Sequence, residues 1–159
     1  MGMVRSGIGY DVHRLVEGRS LVLGGVEIAH EKGLLGHSDA DVLSHAIADA
    51  VLGALGEPDI GYWFPPGDAS IAGISSLEIL RKCREIAAGK GAVIHHVDAT
   101  LIAERPKIRP HVGEMRANIA AALGILPDQV GVKATTNEGI GFLGREEGMA
   151  AMAVCTVDW

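Results

Sequence analysis

Asp11 and His13 are one residue apart in the stretch Ile8-Gly-Tyr-Asp-Val-His13. Ile8, Tyr10 and Val12 alternate with Gly9, Asp11 and His13, which is the period of a β-strand. A carboxylate and an imidazole therefore project from the same side of one strand. A second imidazole, His45, lies in a later stretch with helical periodicity. One Asp and two His form a donor set suited to zinc, with a fourth position left for substrate, as a catalytic site requires. The same residues also satisfy a plainer arrangement, a hydrogen-bonded pair on a strand with a histidine on a helix surface.

Other segments carry chemistry less distinctly. Gly36-His37-Ser38 stands where a helix is expected to begin, so its N–H groups could attract an anion or could form an ordinary cap. Lys133-Ala-Thr-Thr-Asn-Glu138 ends a strand pattern with two hydroxyls and a carboxylate. Glu138 is a candidate for a hard cation between phosphates, or a solvated strand end. Arg145, near Phe142 in a Gly-rich stretch, could read a phosphate or be plain surface. Ala103-Glu-Arg-Pro-Lys-Ile-Arg-Pro110 is stiffened by two prolines, as in a rigid connector or a backbone that reads a base edge.

The elements that must position these groups can be read from periodicity. Leu21–Leu23, a Gly-Gly turn and Val26–Ile28 form a hairpin pattern. Ser38-Asp-Ala-Asp41 has the capping-box spacing and predicts a helix to about Leu55. Its apolar face is Leu43, Ile47, Ala50, Val51 and Ala54, and Asp41, His45 and Asp49 form a polar stripe. Glu57 to Gly73 is polar, rich in Gly and Pro, and reads as a mobile loop. Helices follow at Leu77 to about Ala88 and from Pro110 to Gly124; strands follow at Val93–Ala103, Val130–Thr136 and Met149–Val157. This order predicts an α+β fold, a mixed sheet with helices packed on one face, in a single domain over residues 1–159.

Composition narrows the class. Aromatic residues make up only 4%, so the core rests on aliphatic side chains. A net charge of −6 argues against nucleic acid as a partner. Arg5 and Asp11 interrupt any early apolar stretch, and the most apolar long segment, Val42–Leu55, contains His45 and Asp49, so no signal peptide and no membrane partner are expected. Cys83 and Cys155 lack metal-ligand spacing and read as buried free thiols, which suits a cytoplasmic location.

Together, several stretches resemble the 2-C-methyl-D-erythritol 2,4-cyclodiphosphate synthase family over essentially the whole chain. They are Gly9–His13, Gly24–Val26, Glu31–Val42 with His45, Asp59–Gly61, Pro106–His111, Met115–Ala120, Val132–Glu138 and Gly141–Gly148. The resemblance implies a homotrimer with active sites between subunits; some members of the family are fused to a second pathway enzyme, for which a chain of 159 residues is expected to have no room. It implies a substrate linked to cytidine diphosphate, 4-diphosphocytidyl-2-C-methyl-D-erythritol 2-phosphate. The 2-phosphate attacks the β-phosphorus and expels CMP, a lyase step of the non-mevalonate isoprenoid route.

The roles implied by the resemblance fall on matching positions. Asp11, His13 and His45 would hold Zn²⁺, and Glu138 would hold Mg²⁺ or Mn²⁺. His37 and Thr136 would steady the transition state. Val12, Ser38, Asp59, Ile60, Gly61, Phe64 and Asp68 would meet the methylerythritol phosphate end. Ala103, Glu104, Arg105, Pro106, Lys107, Ile108 and Arg109 would form the cytidine pocket, with Thr135 and Asn137 beside the phosphates. Phe142 and Arg145 would lie near the trimer axis, where the family can hold an isoprenoid diphosphate. Asp49 would stand behind the metal ligands.

The chain also departs from the family pattern. Phe64-Pro-Pro-Gly-Asp68 stands where Phe-Pro-Asp-Thr-Asp is usual, and Ser75-Ser76 where Asp-Ser is common. Glu104-Arg105 replaces Gln-Ala, Gly139 replaces a frequent Lys, and Glu146 replaces Gly. Two other activities would share part of this residue set. A zinc-dependent phosphohydrolase would release linear phosphates, and a trimer that only binds isoprenoid diphosphate or nucleotide would turn nothing over.

Overall fold

A computed structural model describes residues 2–159. The strands are β1 (Val4–Glu17), β2 (Leu21–Leu23), β3 (Val26–Ile28), β4 (Lys32–Leu34), β5 (Val93–Ile102), β6 (Val130–Thr135) and β7 (Gly148–Asp158). The helices are α1 (Val42–Ala54), α2 (Ile60–Trp63), α3 (Ser76–Gly89), α4 (Val112–Leu123) and α5 (Gly141–Gly144). A five-stranded sheet runs in the order β4-β1-β7-β5-β6, and β2 and β3 form a separate hairpin. Only β5 and β6 are parallel, so the sheet is mixed, as expected.

The two faces of β1 differ in an instructive way. Gly7 and Gly9 lie against α1, and a Cβ on either would collide with the carbonyl of Ala50 or Ala46. This close approach lets α1 settle on the sheet. Asp11 and His13 share the parity of those glycines and so rise on the side that carries α1. Ile8, Tyr10 and Val12 face outward and are 70%, 52% and 41% exposed. In β7, Val154 and Met152 sit directly opposite Ile8 and Tyr10 and are also exposed.

The sheet covers one side of α1 and α3 packs against it, so α1 is buried nearly all round. Val42, Leu43, Ala46, Ile47, Ala48, Ala50 and Val51 are wholly buried, as are Asp41 and Ser44. The stripe is thus not a solvated helix face: Asp41 and His45 are buried and Asp49 is half-buried. The helix also starts later than its sequence suggests, because Asp41 caps it and Ser38 does not. The Asp41 carboxylate accepts from Ser44 N (3.0 Å), Ser44 Oγ (2.8 Å), Gly24 N (2.9 Å) and Gly25 N (2.8 Å). Burial pushes the Asp41 carboxyl up, and the donated hydrogen bonds oppose that push. One side chain thereby ties the hairpin turn to the first turn of α1 and fixes where His45 emerges.

The stretch from Glu57 to Gly73 is not irregular throughout. It holds α2, capped by Asp59, and a single 3₁₀ turn at Ala69–Ile71, capped by Asp68. Pro110 lies in a 3₁₀ turn just before α4 rather than in the α-helix itself. Gly124 ends α4 in the left-handed conformation, as expected. Both cysteines are free and buried, and burial pushes each thiol up to about 12. Among the described residues no helix is long and apolar enough to cross a membrane.

Candidate metal centre and substrate cavities

Asp11 and His13 from β1 meet His45 from the first turn of α1. Asp11 Oδ2 lies 2.9 Å from His13 Nε2 and 3.1 Å from His45 Nδ1, and the two ring nitrogens are 3.2 Å apart. Three ligands around a tetrahedral zinc ion, at bond lengths of about 2.0–2.1 Å, are separated by about 3.3 Å. The donor atoms already form nearly that triangle, and the cluster is suited to a divalent metal ion.

Each ring is oriented from behind. His13 Nδ1 donates to the Leu35 carbonyl at 2.7 Å, which leaves Nε2 free for the cluster. Gly36 makes room for that ring, since a Cβ there would press on it. His45 Nε2 lies 2.8 Å from Ser76 Oγ and 3.1 Å from Ser38 Oγ. The Ser76 hydroxyl donates in turn to Asp39, whose carboxylate also accepts from Ser76 N at 3.0 Å and Asp41 N at 3.1 Å. With a metal ion on His45 Nδ1, Nε2–H would donate along this path to Asp39. Such partners raise ligand basicity and hold the tautomer.

Ser76, Asp39 and the Leu35 carbonyl are the supports that sequence reasoning missed. Ser76 carried the one available signal, a serine retained at the head of α3. Asp49, expected behind the ligands, instead accepts from Ile60 N at 2.9 Å and so anchors α2. Burial raises the Asp49 carboxyl, and the neighbouring Asp59 and Asp11 charges add to that shift.

Charge within the cluster follows from its geometry. Burial opposes ionisation of Asp11, but hydrogen bonds from His13 and His45 hold its carboxyl down at about 2. Burial works against the His13 cation, yet Asp11 raises that ring above its ordinary value.

The cluster opens on a cavity of about 260 Å³, lined also by His37, Ser38, Ile60, Gly61, Phe64 and Pro66. His37 Nε2 donates to the Asp68 carbonyl at 2.8 Å, and Gly73 N donates to the His37 carbonyl at 2.9 Å. The Glu57–Gly73 segment is thus fastened over the cavity by backbone groups. The Asp68 carboxylate turns to its own Ser70, and Asp59 caps α2, so neither lines this cavity. The Val12 side chain projects from the other face of β1. It shares a separate hollow with Phe142, beside Arg14 and Glu147.

A larger cavity, about 610 Å³, lies at the far edge of the sheet. Ala103, Glu104, Pro106, Lys107, Ile108 and Arg109 line it together with Thr135 and Thr136. Arg105 is drawn away from this cavity. It pairs with both oxygens of Glu146 (2.7 and 2.9 Å) and with Glu31 (3.0 Å). Two positions that differ from the family pattern thus partner each other. Arg145 pairs with Glu147 at 2.9 Å on the surface. Glu138 is exposed and Asn137 half-buried in the turn that follows Thr136, and neither lines this cavity. Among the described residues none lines both this cavity and the one at the metal cluster.

Residues 4–158 match the model of the YgbB family. The chain is 59% identical over 154 residues to the 2-C-methyl-D-erythritol 2,4-cyclodiphosphate synthase of Salinibacter ruber, covering 97% of this chain and 98% of that protein. It is 57% identical over 155 residues to the synthase of Dehalococcoides mccartyi, covering 98% and 99%. Among solved structures, the Plasmodium falciparum IspF–CDP complex is similar with a TM-score of 0.85 and 36% identity, covering 97% of this chain and 95% of that one. The bifunctional IspDF of Campylobacter jejuni is similar at a TM-score of 0.95 and 37% identity. That match covers 100% of this chain and 43% of the longer protein.

Proposed function

The chain belongs to the YgbB family, and on that premise we propose that it cyclises 4-diphosphocytidyl-2-C-methyl-D-erythritol 2-phosphate. The products are 2-C-methyl-D-erythritol 2,4-cyclodiphosphate and CMP, formed when the 2-phosphate displaces CMP from the β-phosphorus. The observation that carries this reading is the triangle of Asp11, His13 and His45 opening on a cavity with His37 and Ser38 in its wall.

In this reading Asp11, His13 and His45 hold Zn²⁺, and Glu138 holds Mg²⁺ or Mn²⁺. The ions, when bound, neutralise phosphate charge that would otherwise repel the attacking oxyanion. The nucleophile is already an anion, so no side chain has to remove its proton. The protein's share is positioning and charge placement. His37, Ser38, Ile60, Gly61 and Phe64 surround the methylerythritol phosphate end. Lys107 and Arg109, with the backbone of Ala103 through Ile108, receive the cytidine end. Thr135, Thr136 and Asn137 flank the phosphates between the two.

One substrate must reach both cavities, yet among the described residues they share no lining residue. A second copy that brings its larger cavity to the first copy's metal cluster resolves this. The exposed apolar row of Ile8, Tyr10, Met152 and Val154 is a surface suited to such assembly. We therefore read the active unit as a homotrimer with sites between subunits, and the two free thiols support a reducing cytoplasm.

Phosphorus NMR of the protein with the cytidyl substrate, Zn²⁺ and Mg²⁺ tests the proposal. The expected result is cyclic diphosphate with an equal amount of CMP. Linear phosphates would make the protein a hydrolase, and bound but unchanged substrate would make it a binding protein.

A further inference from the structure

Glu104 stands at the junction between the larger cavity and the turn that carries Glu138. Its Oε2 accepts from Asn137 N at 2.9 Å and its Oε1 accepts from Gly139 N at 2.7 Å. The intervening N–H, that of Glu138, donates to Thr136 Oγ1 at 3.2 Å. Asn137 Nδ2 closes the turn by donating to the Ile140 carbonyl at 2.7 Å. Three successive backbone N–H groups are thus held by one carboxylate and one hydroxyl.

Glu138 occupies the left-handed region at φ 54°, followed by Gly139 at φ 71°. A non-glycine residue rarely stays there without outside support. Successive N–H groups around such a residue make a concavity that attracts anions. Here the anion comes from the chain itself, on the segment that also walls the larger cavity.

We infer that Glu104 is a positioning residue for Glu138: its carboxylate clamps the turn so that the Glu138 side chain is presented at a fixed place beside the larger cavity. The inference rests on the reading that Glu138 takes the divalent cation, and it extends that reading to a residue that never touches the ion. The charge matters as well as the shape. A carboxylate accepts from two N–H donors at once, whereas an amide offers one oxygen and would set its own N–H₂ against the second donor.

The test uses zinc-loaded protein with three variants: Glu104→Ala, Glu104→Gln and Glu138→Ala. Amide hydrogen exchange follows residues 136–140. Mn²⁺ binding in the presence of CDP is followed by electron paramagnetic resonance, and zinc content is measured alongside. Glu104→Ala is expected to speed exchange in the turn and weaken Mn²⁺ binding by roughly ten- to a hundredfold, with zinc content unchanged. Glu104→Gln is expected to fall between Ala and the native residue on both readouts, and it carries the test should the alanine variant fold poorly. Faster exchange with unaltered Mn²⁺ affinity overturns the inference, and so does unaltered exchange. Glu138→Ala separates the two levels. Loss of Mn²⁺ binding there, with none in the Glu104 variants, sinks the clamp alone. Full Mn²⁺ binding by Glu138→Ala removes the cation reading and the clamp with it.

Discussion

The Asp11–His13–His45 cluster and the Glu138 turn are held in place by opposite means. The cluster borrows its order from the interior. His45 sits on a helix buried nearly all round, and both rings are braced from behind by Leu35, Ser38 and Ser76. The Glu138 turn lies at the surface and owes its shape to Glu104 and Thr136. A core-backed site loses little when one support is removed and everything when a ligand is removed. A surface turn held by few bonds can be tuned, and can fail, through a single side chain.

Variants can break that comparison, beginning with the largest effect. His45→Ala is expected to abolish bound zinc and to lower kcat/KM by roughly a thousandfold or more, seen by elemental analysis alongside the NMR assay. Full zinc occupancy in that variant would mean that the triangle is not the metal site. Glu138→Ala should retain zinc and lose about a hundredfold in kcat, with part of the loss recovered at high Mg²⁺. If it lost zinc too, the two regions would not be independent. Ser76→Ala leaves Ser38 behind His45, so zinc affinity should weaken by about tenfold, the low end for such a partner, in a chelator competition.

The smallest effect is in pH. His13 titrates above its ordinary 6.5 in the metal-free chain, so its pairing stabilises at lower pH and fades as pH rises through that raised value. Asp11, held at about 2, contributes above its ordinary 3.8 and loses that contribution as pH falls through about 2. Metal-free protein should therefore keep this pairing in mildly acid solution. The gain in Tm from added zinc should grow as pH rises from about 5 to 8, because protons compete for the same nitrogens. A zinc-induced shift that is flat with pH would argue against His13 as a ligand.

Much of this was legible in the sequence, and the failures have local causes. Period-two alternation located β1 and put Asp11 and His13 together, but it cannot say which face is core. The usual expectation, apolar residues inside, fails here because Gly7 and Gly9 admit α1 on the other side. Ser38 and Asp41 both suit an N-cap. Asp41 caps because Gly24 and Gly25 also donate to it, a contact across 16 or 17 residues that no local pattern contains. The helix α2 and the turn at Ala69–Ile71 each begin at an aspartate cap, so Asp59 and Asp68 were signals that the density of Gly and Pro obscured. The three-residue β4 pairs only with the far end of β1, too little for periodicity to register. The Glu104 clamp joins residues more than thirty apart and likewise has no local signature.

The outward row of Ile8, Tyr10, Met152 and Val154 has a thermodynamic consequence. If the chain assembles through this face, as proposed above, folding and association are linked equilibria, and mass action enters the stability. Its melting temperature then depends on how much protein is in the tube. Dilution alone destabilises it, although no bond within any one chain has changed.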